Sequence, residues 1–272
     1  MLYKYNIMEL SFLKTILVTG STGFIGTNLC QSLLKGGHKV IGLCKESPKN
    51  ISDLNYHIIQ HDVCEPFSYL KCDEVYHLAA YSSNSMFIKD PCKAIETILL
   101  GTINALIFTR STGAKFLFAS TLGIYNETKN ELDFQTSYDL AKKTMESYVC
   151  NFGNQYSVDT KTVRIPSTFG PHMKIGIIPN IINSTLNKEE IKFEGDIKKE
   201  IPFCYVGDLI KVLKYVMEKG QAKPRNIPLN YIKYWNYEKL YKIIPEIIKS
   251  DSSDFGEGFK ETIDYFKTKK GK

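Results

Sequence analysis

Thr15-Ile16-Leu17-Val18-Thr19-Gly20-Ser21-Thr22-Gly23-Phe24-Ile25-Gly26 sets a β-branched run against three glycines, and the glycines against a helical stripe. The stripe is Phe24, Ile25, Leu29, Leu33 and Leu34, closed by Gly36 and Gly37. Between a strand and a helix each glycine has a use: a tight turn, close approach of backbone to a diphosphate, and close packing of helix on strand. The first turn of such a helix offers unpaired N–H groups and a partial positive charge to phosphate oxygens. The stretch reads as strand, dinucleotide-binding loop and helix.

Outward from it, strand and helix signals alternate. KVIGL at 39–43, YHIIQ at 56–60, DEVYHL at 73–78, KFLFA at 115–119 and residues 161–165 read as strands. Residues 91–110 and 137–152 read as helices, as do 208–218 and 237–248 later on. Strands alternating with helices imply a parallel sheet covered on both faces. The expected fold is α/β, a Rossmann-type doubly wound parallel sheet over 13–165. Residues 166–272, rich in proline and irregular in period, form a small C-terminal substrate-binding cap whose elements return to the sheet.

The 272 residues are 43% apolar and 24% charged, a globular balance. The net charge of +6 comes almost wholly from lysine, with arginine only at 110, 164 and 225, so no nucleic-acid partner is expected. No run of about 18 apolar residues occurs, so no membrane partner is expected either. Residues 1–12 do not read as a signal peptide, and Met8 is a possible start. The seven cysteines are odd in number and never spaced CxxC, which fits free thiols in a cytoplasmic protein and no metal site. Lys267, Lys269, Lys270 and Lys272 read as a solvated end.

TGSTGFIG resembles the TGxxGxxG fingerprint of the extended short-chain dehydrogenase/reductase family, the NAD(P)-dependent epimerases, dehydratases and reductases of nucleotide sugars. Further segments match in order over residues 15–171. Asp62-Val63 resembles the adenine contact, and DEVYHLAA at 73–80 the DxVxHLAA strand beside the cofactor. FAST at 118–121 with Tyr125 resembles the xxSSxxxYG strand end, YDLAK at 138–142 the YxxxK motif, and Arg164 to Pro171 the RxxNxYGP segment. The resemblance implies cofactor contacts at Gly20, Thr22, Gly23, Phe24, Ile25, Gly26, Lys45, Asp62, Val63, Leu78, Ala79, Ala80, Ser120, Tyr138, Lys142 and Ile165. It also implies a homodimer through the helices at 91–110 and 137–152.

YxxxK is a simple pattern: a chain this rich in tyrosine and lysine holds about two by chance, and this one has four, at Tyr125, Tyr138, Tyr215 and Tyr265. Context selects Tyr138, which opens a helix after the strand carrying Ser120 and Thr121. Tyr215 reads as core in a late helix, and Tyr265 lies in the basic tail. Spacing i, i+4 puts the Tyr138 phenol and the Lys142 ammonium on one helical face. The ammonium is expected to pull the phenol down from near 10 toward neutrality. Tyr138 is thus the expected acid/base, Lys142 its tuner and ribose anchor, and Thr121 the contact to the substrate oxygen.

Departures from the family pattern shape the rest. Cys44 stands where NAD-preferring members commonly carry an acid for the ribose 2′-hydroxyl, and Lys45 suits a 2′-phosphate. NADP is therefore favoured over NAD, with Glu46 keeping NAD open. The two acids of the sugar dehydratases are absent at Leu122 and Gly123, leaving 4-keto reduction, slightly favoured, or NAD-dependent epimerisation with retained cofactor. A non-catalytic NAD(P)-binding sensor is the reading from another class. Ser82, Ser83, Thr121, Ser167 and His172 are candidate contacts to a sugar or nucleotide-sugar substrate. His77 reads as a packed sheet residue and Asp208 as a helix cap.

Overall fold

The computed structural model describes residues 13–46, 54–68, 71–81, 84–126, 131–132, 136–191, 196–221, 223–250 and 256–270. Strand β1 (Thr15–Thr19) leads through α1 (Phe24–Lys35), β2 (Lys39–Cys44) and β3 (Tyr56–Gln60) to β4 (Glu74–His77). Helices α2 (Asn84–Lys89) and α3 (Pro91–Thr112) follow, then β5 (Lys115–Thr121), a small hairpin of β6 (Tyr125–Asn126) and β7 (Glu131–Leu132), α4 (Ser137–Tyr156) and β8 (Thr160–Ile165). The remainder comprises β9 (Ser167–Phe169), α5 (Ile177–Asn187), β10 (Ile201–Tyr205), α6 (Val206–Lys219), β11 (Arg225–Asn226), β12 (Ile232–Trp235), α7 (Tyr237–Ser250) and α8 (Glu257–Lys270).

Seven strands form one sheet in the order β11-β8-β5-β4-β1-β2-β3, every neighbouring pair parallel. The chain leaves β1 in one direction to β2 and β3, then crosses to β4 and β5 on the other side. Ligands of such sheets bind at the carboxyl ends of the strands, where that order reverses. One face is covered by α1 and α6, with Ile16, Val18, Leu29, Leu33, Leu209 and Leu213 in its core. The opposite face carries α3 and α4 over Leu17, Val75, Phe116, Phe118, Ile98, Leu106 and Met145. Being buried on both sides, β1 and β5 read as nearly unbroken apolar runs rather than alternating ones. β5 runs two residues past the expected 119, so Ser120 and Thr121 belong to the strand itself.

The second sheet, β12-β10-β9, packs with α5, α7 and α8 around Ile178, Ile182, Phe203, Leu240, Ile244, Phe259 and Ile263. α6 and β11 lie after β10 in the chain yet return to the large sheet. Lys269 and Lys270 are exposed, as a solvated end requires, but they belong to a helix with a buried face. In α8 the residues Phe259, Thr262, Ile263 and Phe266 recur at helical spacing and face the cap core, while Lys267, Lys269 and Lys270 fall in the last turn, where cations complement the helix dipole. α5 was also unexpected, because Pro179 and a β-branched run mask it; proline at the third helical position loses no intrahelical bond.

α3 is fixed at both ends: Asp90 accepts the Lys93 N–H at 3.0 Å, Pro91 opens the helix and Gly113 closes it at φ 71°. Its 22 residues are apolar enough on average to cross a membrane, which the search for an unbroken run missed. Half of that apolar window is buried within the protein, Ala94, Ile98, Ala105, Leu106 and Phe108 included. The burial of α8 gives a direct test. Phe259→Ala is expected to destabilise the protein by about 3–5 kcal/mol in urea unfolding, whereas Lys267→Ala should change it by under about 0.5 kcal/mol.

Candidate dinucleotide site and catalytic helix

Gly20 leaves β1 at φ 69°, its N–H bonded to the Leu43 carbonyl at 2.8 Å, and a Cβ there would lie 2.9 Å from the Ala79 nitrogen. At Gly26 a Cβ would lie 2.1 Å from the Gly20 carbonyl oxygen. Only glycine permits the turn at the first position and the helix approach at the second. The N-cap of α1 is Gly23, which brings no capping side chain, and the first turn holds no acid. The helix therefore points uncapped N–H groups and its positive end at the loop, a cradle that fits a diphosphate.

Beside the loop, the ends of β1, β2 and β4 enclose a cavity of about 190 Å³. Gly20, Thr22, Lys45, Asp62, Val63, Ala79 and Ala80 line it as expected, joined by His61, Tyr81 and Thr97, which no motif marked. The Asp62 turn is bolted to α3 by the Asn104 amide, which donates to the Val63 and Cys64 carbonyls at 3.0 and 2.8 Å. Asp62 accepts the Cys64 N–H at 3.0 Å, and that bond above all holds its carboxyl below the usual range. Its other oxygen pairs with Lys45 at 3.3 Å and stands 3.8 Å from Lys93. Lys45 is thus no free cation awaiting a 2′-phosphate.

Behind Ala79 runs a buried polar chain. Thr102 Oγ1 donates to the Ile98 carbonyl at 2.5 Å, so it accepts from His77 Nε2 at 3.1 Å. His77 Nδ1 then accepts from Thr19 Oγ1 at 2.8 Å, and Thr19 accepts the Ala79 N–H at 3.2 Å. This order assigns the tautomer by satisfying every partner. Burial pulls the His77 imidazole down to about 3, keeping it neutral and the Leu78–Ala80 segment fixed. His77 is a packed sheet residue that also orients the cofactor loop.

α4 begins at its N-cap Thr136, whose hydroxyl accepts the Asp139 N–H at 3.1 Å and donates to the Asp139 carboxylate at 2.7 Å. Lys142 is buried, donates to the Ala119 carbonyl at 2.8 Å and sits 4.7 Å above the Phe118 ring and 5.9 Å from the Tyr138 ring centre. Burial lowers the ammonium to about 7. Burial also raises the Tyr138 phenol, and Asp139 adds to the rise, so the expected downward pull from Lys142 does not prevail here. Nearby, the buried Ser120 hydroxyl has no partner among the described residues, and Thr121 Oγ1 accepts the Gly123 N–H at 3.1 Å. A Cβ at Gly123 would lie 2.6 Å from Asp139 Oδ1, so the turn after β5 passes close against the α4 carboxylate.

Ile165 ends β8 opposite Thr121, and Ser167 is exposed on β9 opposite Phe203. His172, a candidate substrate contact, bridges α1 and α8. At φ 69° its ring nitrogens meet Gln31 of α1 at 3.4 Å and Tyr265 of α8 at 3.3 Å, fastening cap to sheet. Asp208 does not cap α6, whose N-cap is Tyr205; it pairs with Lys211 at 2.9 Å within the first turn. Tyr215 is 63% exposed rather than core. Ser82 and Ser83 lie outside the described residues.

A parallel seven-stranded sheet with a glycine cradle at its switch point and a Tyr–Lys helix beside β5 defines a dinucleotide-dependent enzyme fold. Residues 16–230 match the NAD dependent epimerase/dehydratase family, and the chain belongs to it. It is 31% identical over 236 residues to UDP-glucuronic acid decarboxylase 1 of Xenopus tropicalis, covering 79% of this chain and 56% of that protein. The chain thus spans about half the length of that curated relative. Among solved structures, UDP-N-acetylglucosamine 4-epimerase from Methanobrevibacter ruminantium, in complex with UDP-N-acetylmuramic acid, superposes with a TM-score of 0.85 at 22% identity, over 94% of this chain and 99% of that one. The Bordetella bronchiseptica enzyme WbmF in complex with NAD+ superposes at 0.82 with 18% identity, over 95% and 94%.

Two outcomes follow from this geometry. Gly26→Ala should abolish the thermal stabilisation by NAD, since its methyl group collides with the Gly20 carbonyl. His77 has a folded pKa below its unfolded one, so unfolding takes up a proton. Stability is then complete above the unfolded value of 6.5 and falls as pH drops from there toward 3. Across pH 6 to 4 wild type should lose more stability than His77→Gln, read by urea unfolding.

Proposed function

We propose that this protein is an NAD-dependent nucleotide-sugar epimerase that oxidises a carbinol carbon transiently, with Tyr138 moving the hydroxyl proton. The observation that carries the reading is the meeting of Ser120, Thr121 and the Lys142 ammonium at the carboxyl end of β5, with Tyr138 one turn earlier on α4. NAD, when bound, accepts a hydride from such a carbon and returns it. The diphosphate cradle of Gly20, Gly23 and Gly26 would hold it, with Asp62 and Val63 at the adenosine and Ser120, Tyr138 and Lys142 at the nicotinamide end.

Thr121 hydrogen-bonds the sugar oxygen; the Gly123 N–H already fixes its hydroxyl. Tyr138 takes the proton as that oxygen becomes a carbonyl and returns it on reduction. A phenol raised by burial acts as a base only beside positive charge, which Lys142, 5.9 Å from the ring centre, would supply when protonated. The resulting ketone has two fates. With a carboxylate on the adjoining carbon it is a β-keto acid, which would lose CO2, take a proton at that carbon in its place and then be reduced by return of the hydride; without one, the hydride would return to the opposite face of the ketone. A sugar carboxylate calls for an arginine fork; Arg110 lies over Tyr156, Arg164 pairs with Glu146, and Arg225 stands exposed on the edge strand β11. A neutral sugar and epimerisation are therefore favoured. Likeness to the UDP-glucuronic acid decarboxylases supports the second reading, decarboxylation.

Both fates recycle the cofactor, which moves the reading away from 4-keto reduction and NADP. The Asp62 carboxylate beside Lys45 opposes a 2′-phosphate. The outer faces of α3 and α4 leave Ile95, Ile107 and Leu140 about half exposed, and a second copy of the chain is the proposed occupant.

Incubation with UDP-glucose, UDP-N-acetylglucosamine and UDP-glucuronate, followed by proton NMR, decides the fate of the ketone: an epimer supports the proposal, and CO2 release alone replaces it with the second reading. Tyr138→Phe should lose turnover by about 10²–10⁴-fold while still binding NAD. NAD should bind more tightly than NADP in calorimetry. Ile107→Glu should convert a sedimenting dimer to monomer, and a monomeric wild type would refute the pairing.

A further inference from the structure

Lys142 and Glu146 stand one helical turn apart on α4, both buried, at 3% and 1% exposure. Among the described residues Lys142 makes no salt bridge; its ammonium reaches a carbonyl and the Phe118 face, with the Tyr138 ring centre 5.9 Å away. Glu146 is gripped at both carboxylate oxygens by Arg164 of β8, through Nε and Nη2 at 2.9 Å each, and Lys143 approaches at 3.5 Å from the outer side. Arg164 lies opposite Ser120 in the β5–β8 register, and its Nη1 reaches Asn226 Oδ1 of β11 at 3.4 Å. The pair thus ties α4 to the sheet at the level of the residue between Ala119, which seats the ammonium, and Thr121.

We propose that Glu146 and Arg164 are positioning residues for Lys142: their ion pair sets the height of α4 against β8 and β5, and the Glu146 carboxylate keeps the neighbouring ammonium charged. Its importance for turnover rests on the reading of Tyr138 and Lys142 above. A buried ion pair is a poor device for stability alone, because apolar side chains of similar volume anchor a helix as well. What apolar side chains cannot supply is a field. His77, the titratable neighbour from β4, is neutral and feels the ammonium as a repulsion. Arg164 is a second cation held one layer away. Glu146 is the group whose charge favours the ammonium against burial, which has already brought it to the edge of neutrality.

The test is a pH titration of the full chain, labelled biosynthetically with ¹³C at lysine Cε. One lysine resonance should titrate near 7 and vanish in Lys142→Arg. Glu146→Gln should lower that midpoint by about one unit, and Arg164→Gln should raise it, because the carboxylate then acts on Lys142 undivided. Shifts in the same direction, or none, mean that the pair only packs, and overturn the proposal. Should Glu146→Gln not fold, Glu146→Asp retains the charge and must keep the midpoint near 7, while Arg164→Gln must still raise it. Absence of turnover with every UDP-sugar would sink the functional reading and leave these titrations standing. Normal turnover beside unmoved titrations would sink the brace alone.

Discussion

A methyl group on Gly26 would lie 2.1 Å from the carbonyl oxygen of Gly20, and one on Gly20 would meet the backbone of Ala79. Strand, helix and the segment after β4 therefore touch through backbone alone. That contact draws the first turn of α1 up to the carboxyl edge of the sheet and leaves a cradle between two diverging halves. The Thr19–His77–Thr102 chain holds the other wall of the cradle from below. Backbone proximity of this kind cannot be relaxed by repacking side chains, because no side chain is there to move.

The electrical character of the site follows from what is buried under it. On the β4 side the polar chain is neutral, and the imidazole stays uncharged well into acid. On the α4 side a single ammonium is seated on a carbonyl and an aromatic face, with an ion pair one turn away. The phenol, raised by the same burial, has its ring centre 5.9 Å from that ammonium. In the proposed mechanism, proton transfer at Tyr138 would be coupled to local charge, with substrate oxygen, phenol and ammonium acting as one unit rather than as independent groups.

The glycine stretch and the alternation of strands disclosed the large sheet almost residue by residue, because a fully covered parallel sheet writes its strands as apolar runs between turn signals. The Tyr138 helix was legible for a related reason: Thr136 and the strand before it frame the motif, while the other Tyr–Lys pairs lack a frame. The cap was less legible. α8 hides its apolar stripe under lysines that serve the helix end, and α5 hides behind a proline that is harmless in a first turn. Roles set by long-range partners were the least legible. Lys45 reads as a free cation until Asp62 folds beside it, and nothing local announces the contacts of His172 to α1 and α8.

The large sheet is completed by residues that follow the cap elements β9, α5 and β10. α6 supplies Leu209, Leu213 and Val216 to the face shared with α1, and β11 adds the outermost strand. During synthesis, a chain that has reached the end of β8 has one face of its sheet sheltered by α3 and α4 and the other covered by α1 alone. Ile16, Val18 and Leu117 then wait, partly bare, for a helix more than forty residues downstream. The two halves are therefore not successive folding units: the first closes only after much of the second has emerged, and a nascent chain halted between them carries an adhesive surface that chaperones recognise.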